Sequence, residues 1–335
     1  MADRRKAIVG SASSFWLYDS STGFDLTHPP TAESPLIYPR IPLQTTTRQI
    51  HIDPAKSALV IIDMQNFFLS PALGRPADSK GIKACDQLLK YAIPACRKAG
   101  IRIIWCNWGL TQDEVDHMPP ATLRAFGFSS VPYDEEYHHQ VNGETAVDDH
   151  GINQGAEDVA KQLKNPTTTP GGKDPRLYRG LGSEVGSVEI DDGNKVDAGR
   201  LLMRDQWNAA LYAPLEESRQ EGLKDDLQRK DVWIHKNRMS GLWGDRTLLT
   251  EYLEAEGIKT LLHAGVNTDQ CVGGTLQDAF TKGYDCLLLS DGSATTTPDV
   301  NGGQSCVEFN TAKTWGFTLS CKDLAEGADR TVLSA

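Results

Sequence analysis

The stretch IKTLLHAGVNTDQCVGGTLQDAFTKG (258–283) decides the fold, because a short polar link in it joins an apolar run to a helical segment. The run 258–265 has the length and composition of a strand that is buried on both faces. The segment 269–283 has helical spacing and stops at a glycine. The sequence therefore predicts a strand that leads directly into a helix, with Cys271 in the first turn of that helix.

Five further apolar runs repeat this pattern along the chain. They lie at 57–63, 101–107, 230–236, 284–292 and 317–320, and helical segments lie between them at 80–100, 245–257 and 306–316. Continuous apolar runs are typical of parallel sheets, and their alternation with helices indicates βαβ crossovers. The sequence therefore predicts an α/β fold, a three-layer α/β/α domain with a six-stranded and mostly parallel sheet.

Two parts of the chain do not follow this rhythm. Residues 1–50 are rich in Ser, Thr and Pro, and FWLYDSSTGFDL (15–26) predicts two β segments around a turn. The region 111–229 is rich in turn residues, and GSVEIDDGNKV (186–196) predicts a hairpin. We interpret 1–50 as an N-terminal arm and 51–335 as one hydrolase domain with an insertion at about 111–229. A structureless loop of this length is improbable, so we expect the insertion to cover the active site or to contact another subunit.

Composition excludes several classes of partner. The formal net charge is −11, which argues against a surface for nucleic acid or anionic membrane. No run approaches the roughly 20 apolar residues of a membrane span. The seven cysteines form no CxxC or zinc-finger spacing, and residues 1–16 lack a signal-peptide core. We therefore expect a cytoplasmic protein with reduced thiols.

Three polar residues fall at the carboxyl ends of predicted strands, where ligands bind in open α/β sheets. They are Asp63, Lys236 and Cys271. With Thr268 as the expected N-cap, the helix dipole and Lys236 should lower the pKa of the Cys271 thiol and favour the nucleophilic thiolate. Asp63 could accept the thiol proton and pass it to a leaving amine.

Three motifs carry a family resemblance: ALVIIDMQNFF (58–68), HKNRMSGLWGDRTLLTEYL (235–253) and HAGVNTDQCVGGTLQDAFTKGYDCLLLSDGSA (263–294). In them the chain resembles the isochorismatase-like cysteine hydrolase superfamily, which includes nicotinamidases, N-carbamoylsarcosine amidohydrolases and ureidoacrylate amidohydrolases. The resemblance covers about 57–110 and 230–320. It therefore leaves out the arm and the insertion.

The resemblance implies that Cys271 is the nucleophile, that Asp63 is the base and that Lys236 orients the site and balances its charge. It also implies a cis peptide bond before Asn267 and an oxyanion hole formed by the backbone N–H groups of Asn267 and Cys271. Family members are usually dimers or tetramers, so the resemblance implies a homo-oligomer.

Residues that differ from those of particular family members reduce the number of reactions that this chain could catalyse. Nicotinamidases carry Asp-Trp-His after the second strand and bind a metal there, whereas this chain has Asn107, Trp108 and Gly109. Asn is a poor replacement for a carboxylate ligand and Gly cannot ligate. We therefore predict that the enzyme needs no metal and no cofactor, and that nicotinamide is not its substrate. A cysteine at 271 favours an amidase over the vinyl-ether hydrolases, which lack it.

The predicted reaction is hydrolysis of a C–N bond in a small amide, carbamoyl or ureido compound through a thioester. Five residues are predicted to contact the substrate: Gln65, Phe68, Asn107, Trp108 and Trp243. Three alternatives remain open at this point. They are a catalytically silent binding or scaffold relative, a vinyl-ether hydrolase, and a phosphatase that uses Asp63 as nucleophile. The last is weakened because Gln65 stands where such enzymes carry a second acid.

Overall fold

The computed structural model describes residues 4–128, 136, 179–191, 193–224 and 229–334. The strands are β1 (Lys6–Ser11), β2 (Ser14–Asp19), β3 (Gly23–Leu26), β4 (Ile41–Gln44), β5 (Gln49–Ile52), β6 (Ser57–Ile62), β7 (Arg102–Trp108), β8 (Ser187–Asp191), β9 (Asn194–Asp197), β10 (Val232–Lys236), β11 (Thr260–Val266), β12 (Asp285–Ala294) and β13 (Gly316–Leu319). The α-helices are α1 (Asn66–Leu69), α2 (Lys80–Gln87), α3 (Ile93–Ala99), α4 (Gln112–Asp116), α5 (Pro120–Ala125), α6 (Ala213–Glu221), α7 (Leu248–Ala255), α8 (Gly273–Thr281), α9 (Gly303–Asn310) and α10 (Cys321–Asp329).

The central sheet has six strands in the order β10-β7-β6-β11-β12-β13, and every neighbouring pair is parallel. One face packs against α2, α3, α6 and α10, and the other packs against α7, α8 and α9. The predicted three-layer α/β/α fold is confirmed, and the sheet is wholly rather than mostly parallel.

The two innermost strands explain why this sheet forms. Every residue of β6 and β11 is buried, as expected for strands covered by helices on both faces. Each large aliphatic side chain buried there stabilises the fold by roughly 1.5–3 kcal/mol. Gly265 allows the two strands to approach closely at their carboxyl ends, because its φ is +114° and a Cβ there would lie 2.0 Å from the carbonyl oxygen of Ile62.

The long predicted helix 80–100 is divided in two by a proline. A π-helical turn over Leu88–Ala92 separates α2 from α3, and Pro94 lies at the start of α3. Proline has no N–H to donate to the carbonyl four residues earlier, so the regular hydrogen-bond pattern cannot continue through it. The helix ends at Gly100, which takes the left-handed conformation with a φ of +76°.

The N-terminal residues form a second sheet with the strand order β1-β2-β3-β5-β4. The hairpin predicted within 15–26 is present as β2 and β3. The other three strands are only four to six residues long and were not recognised from the sequence. Trp16 attaches this sheet to the main domain, because its ring packs against Phe317 at 5.7 Å between centroids.

Asp285, at the start of β12, is the polar anchor of this attachment. Its carboxylate accepts the indole N–H of Trp16 at 2.7 Å and the hydroxyl of Thr260 at 3.0 Å, and it contacts His28 Nε2 at 2.6 Å.

Asp285→Ala should therefore lower the free energy of unfolding by about 2–4 kcal/mol, because buried donors lose their acceptor. Urea denaturation measures this loss. The control is Asp329→Ala, which removes an exposed partner of Lys98 and should leave the midpoint nearly unchanged. Equal effects of the two changes would contradict the anchor.

The described part of the insertion packs over the carboxyl end of β7. The hairpin predicted within 186–196 is present as β8 and β9. Apolar residues from 181–203 form one cluster with Trp108, α4 and α5. Most of 129–178 lies outside the described residues, so the predicted roles of the whole insertion stay predictions. Within the described residues, no helix combines the length and apolar character that a membrane crossing requires.

Candidate active site

The three residues predicted from the strand ends lie together at the carboxyl edge of the central sheet. Asp63 follows β6, Lys236 is the last residue of β10, and Cys271 lies in the π-helical turn Thr268–Val272 after β11. Lys236 Nζ is 2.9 Å from Asp63 Oδ2, and the Cys271 thiol interacts with the same carboxylate. The exposed fractions are 0%, 4% and 6% for Asp63, Lys236 and Cys271. The site is therefore a buried ion pair with a buried thiol beside it.

Backbone groups and one aromatic ring hold the ion pair in place. Lys236 Nζ donates to the carbonyl oxygens of Arg238 and Met239, both at 3.0 Å. It also lies 4.1 Å from the centroid of the Trp108 ring, within cation–π range. The backbone N–H of Trp108 donates to Asp63 Oδ1 at 3.2 Å. Both charged groups therefore have fixed partners besides each other.

Asp63 has an uncommon backbone conformation for a residue with a side chain. Its φ is +54°, in the left-handed region that non-glycine residues adopt at a free-energy cost. The residue leaves β6 at this point, and its N–H donates to the carbonyl oxygen of Cys106 at 3.2 Å. The strained turn directs the carboxylate toward β10 and the Cys271 helix. Such strain is common at functional sites.

The pKa of the Cys271 thiol is raised, whereas the sequence predicted that it is lowered. Burial raises the pKa of Cys271 to about 12, and Lys236 and the Trp108 indole only partly oppose this shift. Burial also raises the pKa of Asp63, against the opposing effect of Lys236. Burial alone would lower the pKa of Lys236, but the combined effects of Asp63, Cys271 and Cys106 outweigh burial and the pKa is raised. The predicted low-pKa thiolate is therefore wrong for the closed site, where the thiol keeps its proton.

The start of the Cys271 helix also differs in detail from the prediction. Asn267, not Thr268, is the N-cap residue, and it makes no side-chain capping bond. The Asn267 side chain instead accepts the backbone N–H of Thr296 at 3.1 Å. The peptide bond between Val266 and Asn267 is cis. Cys271 is the fourth residue of the helical turn, so its backbone N–H lies in the first turn.

The raised pKa predicts a distinctive alkylation profile for Cys271. With a pKa of about 12, the thiolate fraction should rise tenfold per pH unit throughout pH 7–10. The rate of iodoacetamide alkylation, measured by peptide mass spectrometry, should follow without a plateau. Cys306 is exposed and gives an internal reference for reagent access. A plateau for Cys271 below pH 7 would instead demonstrate a preformed thiolate.

Asn107 and Gly109 lie beside these residues at the end of β7. Asn107 is fully buried, and both polar atoms of its side chain lack a partner. At Gly109, a Cβ atom would lie 2.0 Å from Nδ1 of His235, so the imidazole of the neighbouring strand fills that space. Among the described residues, no three His, Cys, Asp or Glu side chains are grouped as metal ligands. Independence from a metal stays a prediction.

The other predicted contact residues have clear structural partners. Gln65 donates to the carbonyl oxygens of Trp108 at 2.7 Å and Ala209 at 2.6 Å, which joins β7 to the insertion. Phe68 packs edge-on against Phe67 with centroids 4.8 Å apart. Trp243 is 40% exposed and donates its indole N–H to Asn237 at 3.0 Å. The substrate roles of Gln65, Phe68 and Trp243 stay predictions.

Sequence reasoning missed two residues that shape the site. Phe126, which lies in the insertion, packs edge-on against Trp108 with centroids 5.2 Å apart and helps to cover it. His235 pairs in register with Asn107 on the neighbouring strand. The alternation of β10 could have placed His235 on the face opposite Lys236. No pattern in the sequence indicated Phe126.

Comparison with known proteins gives a family match in the second half of the chain. The Isochorismatase domain family model matches residues 200–303, a range that contains both Lys236 and Cys271. Over this range the chain is similar to the isochorismatase family.

Among its relatives is the ureidoacrylate amidohydrolase RutB of Rhizobium rhizogenes, 23% identical over 288 residues, which cover 84% of this chain and 87% of that protein. RutB of Caulobacter vibrioides is 32% identical over 127 residues, 37% of this chain and 49% of that protein. A crystal structure of an isochorismatase family protein from Desulfovibrio vulgaris aligns with a TM-score of 0.48 and 18% identity, covering 81% of this chain and 97% of the other.

Proposed function

We propose that this protein hydrolyses a C–N bond in a small amide, carbamoyl or ureido compound, with Cys271 as the nucleophile. The observation that carries the proposal is the buried contact of the Cys271 thiol with Asp63, whose carboxylate is held 2.9 Å from Lys236. A thiol beside a base that a third group orients is the arrangement that nucleophilic catalysis requires. The similarity to proteins named ureidoacrylate amidohydrolases supports the substrate class.

The first steps follow from the charges. Asp63 accepts the thiol proton, and its raised pKa makes it a stronger base than an ordinary carboxylate. The thiolate sulfur attacks the substrate carbonyl carbon, and the C=O electron pair moves to oxygen. Backbone N–H groups of Asn267 and Cys271 stabilise this oxyanion. Lys236 remains protonated, because Asp63 raises its pKa, and it balances the negative charge of the site.

The tetrahedral intermediate collapses when the C–N bond breaks. The protonated Asp63 gives its proton to the leaving nitrogen, which departs as ammonia or an amine and leaves a thioester on Cys271. Asp63 then removes a proton from water, and the hydroxide attacks the thioester carbon. The C–S bond breaks, the product acid or carbamate leaves, and Cys271 is protonated again. The cycle uses only protein groups and water.

Asn107 is the residue best suited to bind the polar end of the substrate. Its amide is completely buried and has an unpartnered donor and an unpartnered acceptor. A buried polar group without a partner costs about 1–3 kcal/mol, and a substrate amide or ureido group would offer the complementary acceptor and donor. Trp108 lies next in the chain and would supply an apolar wall.

The proposal is tested by incubating the protein with a panel of small amides, N-carbamoyl acids and ureido acids. Ammonia release is measured with intact-protein mass spectrometry in parallel. We expect ammonia together with an acyl adduct on Cys271 for at least one compound, and unchanged turnover after EDTA treatment. Ligand binding without ammonia or adduct would instead favour a silent binding relative. Activity that EDTA abolishes and zinc restores would overturn the metal-free mechanism.

A further inference from the structure

A cavity of about 680 Å³ lies between α2, α9 and the carboxyl-terminal half of β12. Cys271, Asp63 and Lys236 are not among its lining residues. We propose that this cavity binds a small zwitterion of amino-acid type, with a carboxylate at one end and an ammonium group at the other. The proposal does not rest on the chemistry assigned to Cys271.

One residue of the cavity lining carries a buried polar atom that lacks a partner. Ser293 on β12 lines the cavity and is only 3% exposed, yet its hydroxyl makes no hydrogen bond. A buried hydroxyl without a partner costs free energy that a bound ligand would recover. This observation favours a ligand that carries a hydrogen-bonding group.

The end of the cavity near the sheet edge is positive. The first turns of α2 and α9 both face it, and they contribute Lys80, Lys83 and the backbone around Gly303. No side chain caps α9, so its terminal N–H groups favour an anion. Lys80 is already paired with Asp299. Within the described part of the chain, Lys83 has no acidic partner, and it is the cation left for a carboxylate.

The opposite end of the cavity is acidic. Asp291 and Glu308 line it, and each carboxylate accepts a hydrogen bond from a described residue. Asp291 accepts the backbone N–H of Cys321 at 2.7 Å, and Glu308 accepts the Gln304 amide at 2.8 Å. A carboxylate has about four lone-pair positions, so both can accept further N–H donors. A short ω-amino acid carries one charged group for each end of the cavity.

The test is isothermal titration calorimetry of the full-length protein with 4-aminobutyrate, butyrate and butylamine. We expect 4-aminobutyrate to bind at least tenfold more tightly than either compound that lacks one charged end. Lys83→Met should weaken 4-aminobutyrate and butyrate about tenfold and leave butylamine unchanged. Lys322→Met, on the exposed face of α10, is the matched control and should change none of them.

Ser293→Ala provides the sharper comparison, because it removes one buried hydroxyl without adding bulk. It should weaken 4-aminobutyrate about fivefold to tenfold. Thr311→Val deletes another fully buried, unpartnered hydroxyl that does not line the cavity, and it should have no effect. Equal effects of the two variants, equal binding of butyrate and 4-aminobutyrate, or no binding up to about 10 mM would overturn the proposal. The titration involves no turnover, so its result is independent of the proposed hydrolase activity.

Discussion

Replacement of Cys271 by alanine or serine is expected to reduce turnover by about 10⁴–10⁶-fold, the range measured when a catalytic nucleophile is removed. The physical reason is that no other group can form the acyl intermediate. Serine is a poorer substitute than its shape suggests, because Asp63 would have to deprotonate a much weaker acid than a thiol. Ammonia release on the best compound of the panel measures the loss, and the acyl adduct should disappear with it.

The fold should survive this change. Cys271 contributes one buried sulfur atom to a cluster of eighteen buried residues, so the unfolding midpoint should shift little. The matched control is Cys286→Ala, which removes another buried sulfur of the same cluster at the opposite end of the sheet. It should keep activity. A Cys271→Ala variant with near wild-type turnover would refute the proposed mechanism.

Asp63→Asn is expected to lower turnover by about 10²–10⁴-fold, because the general base is lost while the shape of the side chain is kept. It should also destabilise the protein by about 3–5 kcal/mol, since Lys236 would remain as a buried charge without a counter-ion. Lys236 is only 4% exposed, so water cannot replace the lost partner. Turnover and urea denaturation measure the two effects separately.

The double variant Asp63→Asn/Lys236→Met separates catalysis from stability. Removal of both charges should restore most of the lost free energy of unfolding, because a neutral pair suits the dry site. Turnover should stay as low as in Asp63→Asn. If activity returned together with stability, Asp63 would be a structural partner of Lys236 and the proposed base would be wrong.

The central sheet was predictable because strands that are buried on both faces have continuous apolar runs in the amino-acid sequence. SALVII in β6 and TLLHAGV in β11 are completely buried, and their helices have regular spacing and glycine ends. The N-terminal sheet was only partly predictable. Its strands are short, and every residue of β1 is exposed, so neither an apolar run nor a clean alternation marks them.

The positions of Asp63, Lys236 and Cys271 were predictable for the same topological reason. Parallel strands bring their carboxyl ends to one edge, so three residues far apart in the chain had to lie on it. The contacts around them were not predictable in the same way. The Trp108 ring over Lys236 and the His235 ring beside Gly109 depend on the register between neighbouring strands.

The sequence by itself determined the α/β order, the six strands and which polar residues stand at their ends, since these follow from local periodicity and chain topology. The protonation state of Cys271 was decided only by the tertiary structure. A helix terminus and a nearby lysine favour a thiolate, and the sequence shows both. Burial opposes them and raises the pKa of the thiol to about 12. Desolvation depends on all the groups packed around the sulfur, including Trp108 and Asp63, which only the folded chain brings together.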